Sequence, residues 1–195
     1  GVYMTLIKKK EDEFYSPWPR IAAVSLVIAL LGTILFTILY LHLQIDWIES
    51  LAITFFTTSY HIVIRLLSPL ILSLLFHHKY NYQIWWFQPK TWETKLYKGL
   101  KVKQWKRQVM VFDPSQFSLK IHSIQEVINN MCHAELVHEL IMLFSILSIL
   151  FSIPFGALPV FLITAICATL FDSMFVMIQR YNRPRLVRNY ERQNK

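Results

Sequence analysis

The densest set of reactive side chains in this sequence is Cys132-His133-Ala134-Glu135-Leu136-Val137-His138-Glu139. On a helix Glu135 and His138 stand three residues apart and share a face, with Cys132 one turn earlier, while His133 and Glu139 point elsewhere. A carboxylate beside an imidazole is the basic arrangement of a general base, because the acid orients the ring and raises its basicity. Glu-x-x-His is also a metal half-site in helical bundles, but such sites take further carboxylates from partner helices. Asp172 is the one acid well inside another apolar block, so no metal site is assigned. A structural reading competes, in which these groups serve as hydrogen-bonding residues at a helix end.

A second cluster is Tyr60-His61-Ile62-Val63-Ile64-Arg65, within an otherwise apolar stretch. His61 and Arg65 are four apart on one helical face, and an arginine at mid-membrane costs roughly 2.5–3.5 kcal/mol on insertion scales. Such a pair suits an anion: a phosphate, a carboxylate or a developing oxyanion. The alternative is a buried bridge from Arg65 to Asp172 or Glu135.

The third cluster runs from Asp172 to Gln179-Arg180-Tyr181-Asn182-Arg183-Pro184-Arg185. Arginines just beyond an apolar helix act as topology determinants and lipid-headgroup contacts. The functional alternative is a docking site for the phosphates of a donor such as acyl-CoA or a lipid diphosphate. The sequence carries no glycine-rich phosphate loop, nucleophile elbow or paired-cysteine zinc spacing.

The elements that must position these residues are membrane spans. Of 195 residues 54% are hydrophobic and only 16% charged, well below the roughly 25% of soluble domains. That excludes disorder, a disulfide-rich secreted fold and an ordinary soluble enzyme. The +8 net charge does not call for nucleic acid, because basic residues flanking apolar spans are topology signals. Ile21 to Ile45 is 25 residues without a formal charge, enough to cross about 30 Å of hydrocarbon. A second span covers 47–76, with Pro69 expected to kink it. Leu140 to Phe171 is a 32-residue uncharged run interrupted by Pro154, Gly156 and Pro159. It divides into two antiparallel helices, 130–153 and 159–179.

The expected fold is therefore all-α: a polytopic membrane protein, residues 1–195 forming a single membrane domain of four transmembrane helices. Lys8, Lys9, Lys10 and Arg20, the eight lysines between Lys79 and Lys120, and the arginine-rich tail to Lys195 all fall on one side. The positive-inside rule makes that side cytoplasmic, with both termini there. Between helices 2 and 3, residues 77–129 interleave Trp85, Trp86, Trp92, Tyr97 and Trp105 with lysines. This mixture reads as a cytoplasmic amphipathic helical segment at headgroup level, either a solvated loop with a membrane-contacting edge or a cap over a substrate groove. Cys132 and Cys167 imply no disulfide.

Four of these stretches together resemble the glycosyl-4,4'-diaponeurosporenoate acyltransferase family. They are Tyr60-His61 with Arg65-Leu66; Trp92 to Trp105-Lys106, with Lys101, Lys103 and Lys106; Cys132 with Ala134-Glu135-Leu136-Val137-His138; and Gln179 to Arg185. Glu139 stands where similar sequences carry an aromatic residue. The resemblance implies a small enzyme of the bacterial cell membrane that esterifies a sugar hydroxyl of a carotenoid glycoside with a fatty acyl chain. Its partners would be membrane lipids, an apolar glycolipid or carotenoid glycoside acceptor and an acyl donor such as acyl-CoA, with no cofactor and no nucleic acid. Chemistry then suggests the roles. His138, oriented by Glu135, takes the acceptor proton, and Arg65 or His61 stabilises the oxyanion. Arg180, Asn182, Arg183, Arg185, Asp172 and Trp105 bind substrate. A non-catalytic lipid-binding or scaffolding protein, or a lipid-modifying enzyme with another acceptor, is the alternative.

Overall fold

The structure is a computed structural model that describes residues 16–109 and 111–193. Lys8, Lys9, Lys10 and Lys195, which enter the expected orientation, lie outside the described residues. Four helices are long and apolar enough to cross a membrane, as expected of a multi-pass membrane protein. They are α1 (Trp18–Leu43), α2 (Asp46–Phe76), α5 (Ile124–Leu147, prolonged through a 3-10 turn and a short α6 at Ser152–Phe155) and α7 (Leu158–Gln193). Between α2 and α5 lie α3 (Thr91–Gly99), the single turn α4 (Val102–Trp105) and a 3-10 turn at Pro114–Phe117. No strand occurs among the described residues.

Local chemistry explains the boundaries. Pro19 sits in the first turn of α1, where its missing N–H costs nothing. Asp46 and Glu49 stand in the first turn of α2, complementing the helix dipole. The third spanning helix begins at Ile124 rather than at residue 130 because Ser123 and Glu126 form a reciprocal capping box. Gly156 (φ 66°, ψ −143°) adopts a conformation that side chains disfavour, and with Ala157 it reverses the chain between α6 and α7. The last helix does not stop with the apolar run. It continues past Gln179 through Pro184 to Gln193, so the arginines ride on a rigid extension.

The packing is up-and-down. Helix α1 lies along α2, which contacts both α5 and α7, and α5 pairs most extensively with α7. Ser16 at the start of α1 donates to the Val111 carbonyl at 3.0 Å, and Tyr190 near the end of α7 donates to Gln125 at 3.1 Å. The beginning of α1, the middle segment and the end of α7 therefore share one end of the bundle. The outward faces are apolar: Val24, Leu31, Leu35, Leu74 and Leu170 are all more than half exposed, an apolar area suited to lipid rather than water. Inside, Ile64, Leu72, Val137 and Ile141 form a core between α2 and α5. Several polar groups among them are satisfied internally, as a bilayer favours: Thr57 and Ser68 donate to carbonyls one turn back, and Tyr60 donates to the Phe144 carbonyl at 2.9 Å.

The middle segment sorts its aromatics by side. Tyr80, Phe87, Tyr97 and Val102 are buried, whereas Trp85, Trp92, Leu96 and Leu100 are exposed. It is less helical than an amphipathic-helix reading implies, since turns separate its short helices. It forms a cap packed on the ends of α5 and α7.

Candidate active site

Helices α2, α5 and α7 bring Arg65, His138 and Asp172 together. The Nδ1 of His138 lies 2.9 Å from Oδ1 of Asp172, and the guanidinium of Arg65 bonds the other oxygen of the same carboxylate. The Asp172 side chain is 1% exposed, against 22% for His138 and 28% for Arg65. An anion so buried is tolerated only because both its oxygens are paired. With Asp172 ionised, Nδ1 carries the proton it donates, and the lone pair stands on Nε2. The imidazole stacks on Phe175, with centroids 4.5 Å apart and planes 8° from parallel, which fixes the ring.

His61 is buried one turn before Arg65. Its Nδ1 is 3.4 Å from the Ser145 hydroxyl, its carbonyl accepts from Arg65 at 2.9 Å, and its Nε2 is buried without a partner. The His61 ring thus meets α5 at Ser145, while Arg65 reaches Asp172 on α7.

Glu135 takes a different part from the one its spacing suggests. It faces Arg180 and Arg183, not His138: Arg180 donates to Oε1 at 2.6 Å and Arg183 bonds Oε2. Two guanidinium groups outcompete an imidazole for a buried carboxylate, and the acid in contact with His138 is Asp172. Arg180 also donates twice to Glu93, at 2.8 and 2.5 Å. Glu93, 2% exposed, completes a charge-balanced network of two glutamates and two arginines. The same arginines capture three successive cap carbonyls, with Trp86 at 2.9 Å and Gln88 at 3.1 Å from Arg180, and Phe87 at 2.6 Å from Arg183. This network clamps the cap to the bundle. Glu139, in the position where an aromatic is expected, accepts from the Trp86 indole at 2.9 Å and adds to the clamp.

Above the clamp, the cap and the α7 extension line a half-open cleft of about 810 Å³. Arg180, Arg183 and Glu93 are in its wall, with Tyr97, Tyr181 and Arg185. Burial, then the nearby Glu93 carboxylate, pushes the Tyr97 phenol up to about 12, so it is a neutral donor. Asn182 accepts from Lys106, whose ammonium also lies over the Tyr181 ring. Burial and the neighbouring Arg185, Arg107 and Lys103 depress the Lys106 pKa. Trp105 does not line the cavity; its indole donates to Leu100 at 2.9 Å and closes its own turn. Among the described residues no three His, Cys, Asp or Glu side chains are arranged to hold a metal ion.

Sequence reasoning missed Glu93 and Phe175. Glu93 did leave a signal, as one of only two acids between Lys79 and Lys120. Phe175 left none, because one more phenylalanine in an apolar helix is indistinguishable from core.

Comparison with known proteins bears on what such a site is for. No curated protein and no solved structure matches the chain. Residues 83–192, more than half of the sequence, match the family model of glycosyl-4,4'-diaponeurosporenoate acyltransferase, and the matched region contains most of the cap, the clamp, His138 and Asp172. The chain belongs to the glycosyl-4,4'-diaponeurosporenoate acyltransferase family.

Proposed function

We propose that the protein transfers a fatty acyl group to a hydroxyl of a lipid-linked or carotenoid glycoside at the cytoplasmic face of a bacterial membrane. The observation that carries this reading is the His138–Asp172 contact, which leaves Nε2 of a fixed, partly exposed imidazole as a base. That nitrogen takes the proton of the acceptor hydroxyl as its oxygen attacks the acyl carbonyl carbon. Arg65, beside the same carboxylate, supplies positive charge for the oxyanion of the tetrahedral intermediate. When the intermediate collapses, the bond to the donor's leaving group breaks and His138 returns the proton to it. Positioned proton transfer of this kind contributes about 10²–10⁴-fold.

The exposure of Arg65 and His138, between lipid-facing helices, suits an acceptor too apolar to leave the bilayer. The family name supplies the acceptor class, a glycosylated carotenoid acid. The test is mass spectrometry of lipids and pigments from cells carrying the wild type or His138→Ala. A product heavier by one fatty acyl group, present with wild type and lost with His138→Ala at equal protein level, supports the proposal. Equal product from both variants overturns the role of His138. A wild type that yields no acylated product favours a lipid-binding protein in which Arg65 and Asp172 form only a structural bridge.

A further inference from the structure

The cavity under the cap carries more positive charge than its own carboxylates balance. Arg180 and Arg183 are neutralised by Glu93 and Glu135. The other cations of its wall, Lys98, Lys101, Lys103, Arg185 and Arg188, have no carboxylate partner among the described residues. They come from two elements that face each other. The lysines sit around the α3–α4 junction, and the two arginines are three residues apart on α7, hence on one face. Five solvent-exposed cations lining one half-open cleft repel one another, a cost that a bound polyanion removes. The depressed pKa of Lys106, caused by burial and then by Arg185, Arg107 and Lys103, reports the same crowding. The volume, about 810 Å³, lies within the roughly 300–1,000 Å³ of small-molecule and cofactor sites.

Distance then selects among phosphate-bearing acyl donors. Arg185 is thirteen residues beyond Asp172 on the same continuous helix, which at 1.5 Å per residue is about 20 Å along the axis. In a phospholipid the phosphate is only a few bonds from the acyl ester. A phospholipid phosphate held by Arg185 and the lysines therefore could not place its ester at His138. In a coenzyme A thioester, an extended pantetheine arm separates the phosphates from the acyl carbonyl by a span of that order.

We infer that this cavity holds the phosphorylated nucleotide of a coenzyme A thioester, with Lys98, Lys101, Lys103, Arg185 and Arg188 on its phosphates. This rests on the acyl-transfer reading and names its donor. In the balanced reaction the acceptor oxygen displaces the coenzyme A sulfur from the acyl carbon, and the thiolate takes the proton held by His138. Arg180 and Arg183, committed to the two glutamates, hold the floor of the cavity and not the ligand. The arm passes outside that floor toward the partly exposed imidazole.

Binding without turnover tests this separately from catalysis. The whole protein in lipid nanodiscs is titrated with coenzyme A, adenosine 3',5'-bisphosphate, inorganic pyrophosphate and phosphatidylglycerol. Coenzyme A should saturate one site, lose affinity with rising salt and be displaced by adenosine 3',5'-bisphosphate. The exposed-residue variant Lys101→Gln/Lys103→Gln/Arg185→Gln, checked for an unchanged thermal midpoint, should bind at least 10-fold more weakly, and His138→Ala should bind as wild type does. Equal coenzyme A affinity in the triple variant and wild type overturns the assignment. So does coenzyme A binding no more tightly than pyrophosphate, or displacement by phosphatidylglycerol and not by the nucleotide. If coenzyme A fails to bind while cells still make the acyl ester, the donor assignment falls and the acyl-transfer reading stands. If coenzyme A binds as described and no ester forms, the reverse holds.

Discussion

The imidazole of His138 and the carboxylate of Asp172 are 34 residues apart in sequence and 2.9 Å apart in space, on helices that run antiparallel through the bundle. Each group answers a need of the other. The acid fixes which nitrogen of the ring carries the proton, and the ring, with Arg65, keeps a carboxylate that is 1% exposed from standing unpaired. Asp172→Asn should therefore cut kcat by about 10²–10⁴-fold with little change in acceptor KM, since an amide can present its N–H to Nδ1 and leave the wrong tautomer. Adding His138→Ala should cost little more, because the two groups act as a unit. Steady-state kinetics of the single and double variants decide it; fully additive losses would mean the residues work independently.

Glu135 lies one turn from His138, yet its loss should be felt in folding before it is felt in chemistry. Removing it leaves Arg183, 2% exposed, as an uncompensated buried charge and frees one of the two anchors of Arg180. Breaking a buried pair of this kind costs about 3–5 kcal/mol. Glu135→Ala should lower the thermal midpoint and open the Trp86–Gln88 loop to proteolysis, and Glu93→Gln should do the same to a lesser degree. Limited digestion compares them. A Glu135→Ala protein with wild-type protease resistance and a shifted pH–rate profile would return Glu135 to the role of orienting His138.

This pair of residues shows what the sequence could tell and where it stopped. Four spans were readable because an uncharged apolar run of roughly 20 residues matches the thickness of a bilayer and little else. The breakers Pro154, Gly156 and Pro159 marked the reversal that the backbone makes at Gly156 and Ala157. The polar residues that meet inside the bundle were also readable by type, since charge within an apolar block is costly and calls for a partner. Their pairing was not. Glu135 and His138 share a helical face, but which acid a histidine meets depends on how α7 is registered against α5, and no local pattern encodes that register. The expected third span starts at residue 130 because that reading leaves the cap out: Ser123 with Glu126 begins α5 at Ile124, six residues earlier.

Tyr97 offers a spectroscopic handle on the cap. A tyrosine in an unfolded chain titrates near 10, whereas burial first, and Glu93 second, pushes this one up to about 12 in the fold. The fold thus favours the protonated phenol. Its contribution to stability is complete below pH about 10 and is lost as the pH rises toward about 12. Phenolate absorbance should show late-titrating tyrosines, Tyr97 and the likewise buried Tyr80 among them, whose amplitude falls by one residue in Tyr97→Phe, and the stability of that variant should fall less steeply across this window. A wild type whose tyrosines all titrate near 10 would place Tyr97 in water.

The contact between α1 and α2 turns on the absence of a side chain at Gly32. A Cβ there would lie 2.5 Å from Cδ1 of Phe55 and 2.7 Å from its Cγ and Cε1, inside any tolerable contact. Phe55 is not free to yield cheaply, because its ring stacks on Phe36 with centroids 5.4 Å apart and planes 12° from parallel. A larger residue must therefore either separate the helices or break the stack, and overpacking of this kind costs about 1–3 kcal/mol. Better helix propensity gives back at most about 1 kcal/mol. Gly32→Leu should lower the thermal midpoint in detergent, and Phe55→Ala added to it should restore much of the loss by vacating the space. Helix α1 supplies none of the groups around Asp172, so acyl transfer per folded molecule should stay at the wild-type level. A Gly32→Leu protein as stable as wild type would show that α1 is held to α2 by something other than this close approach.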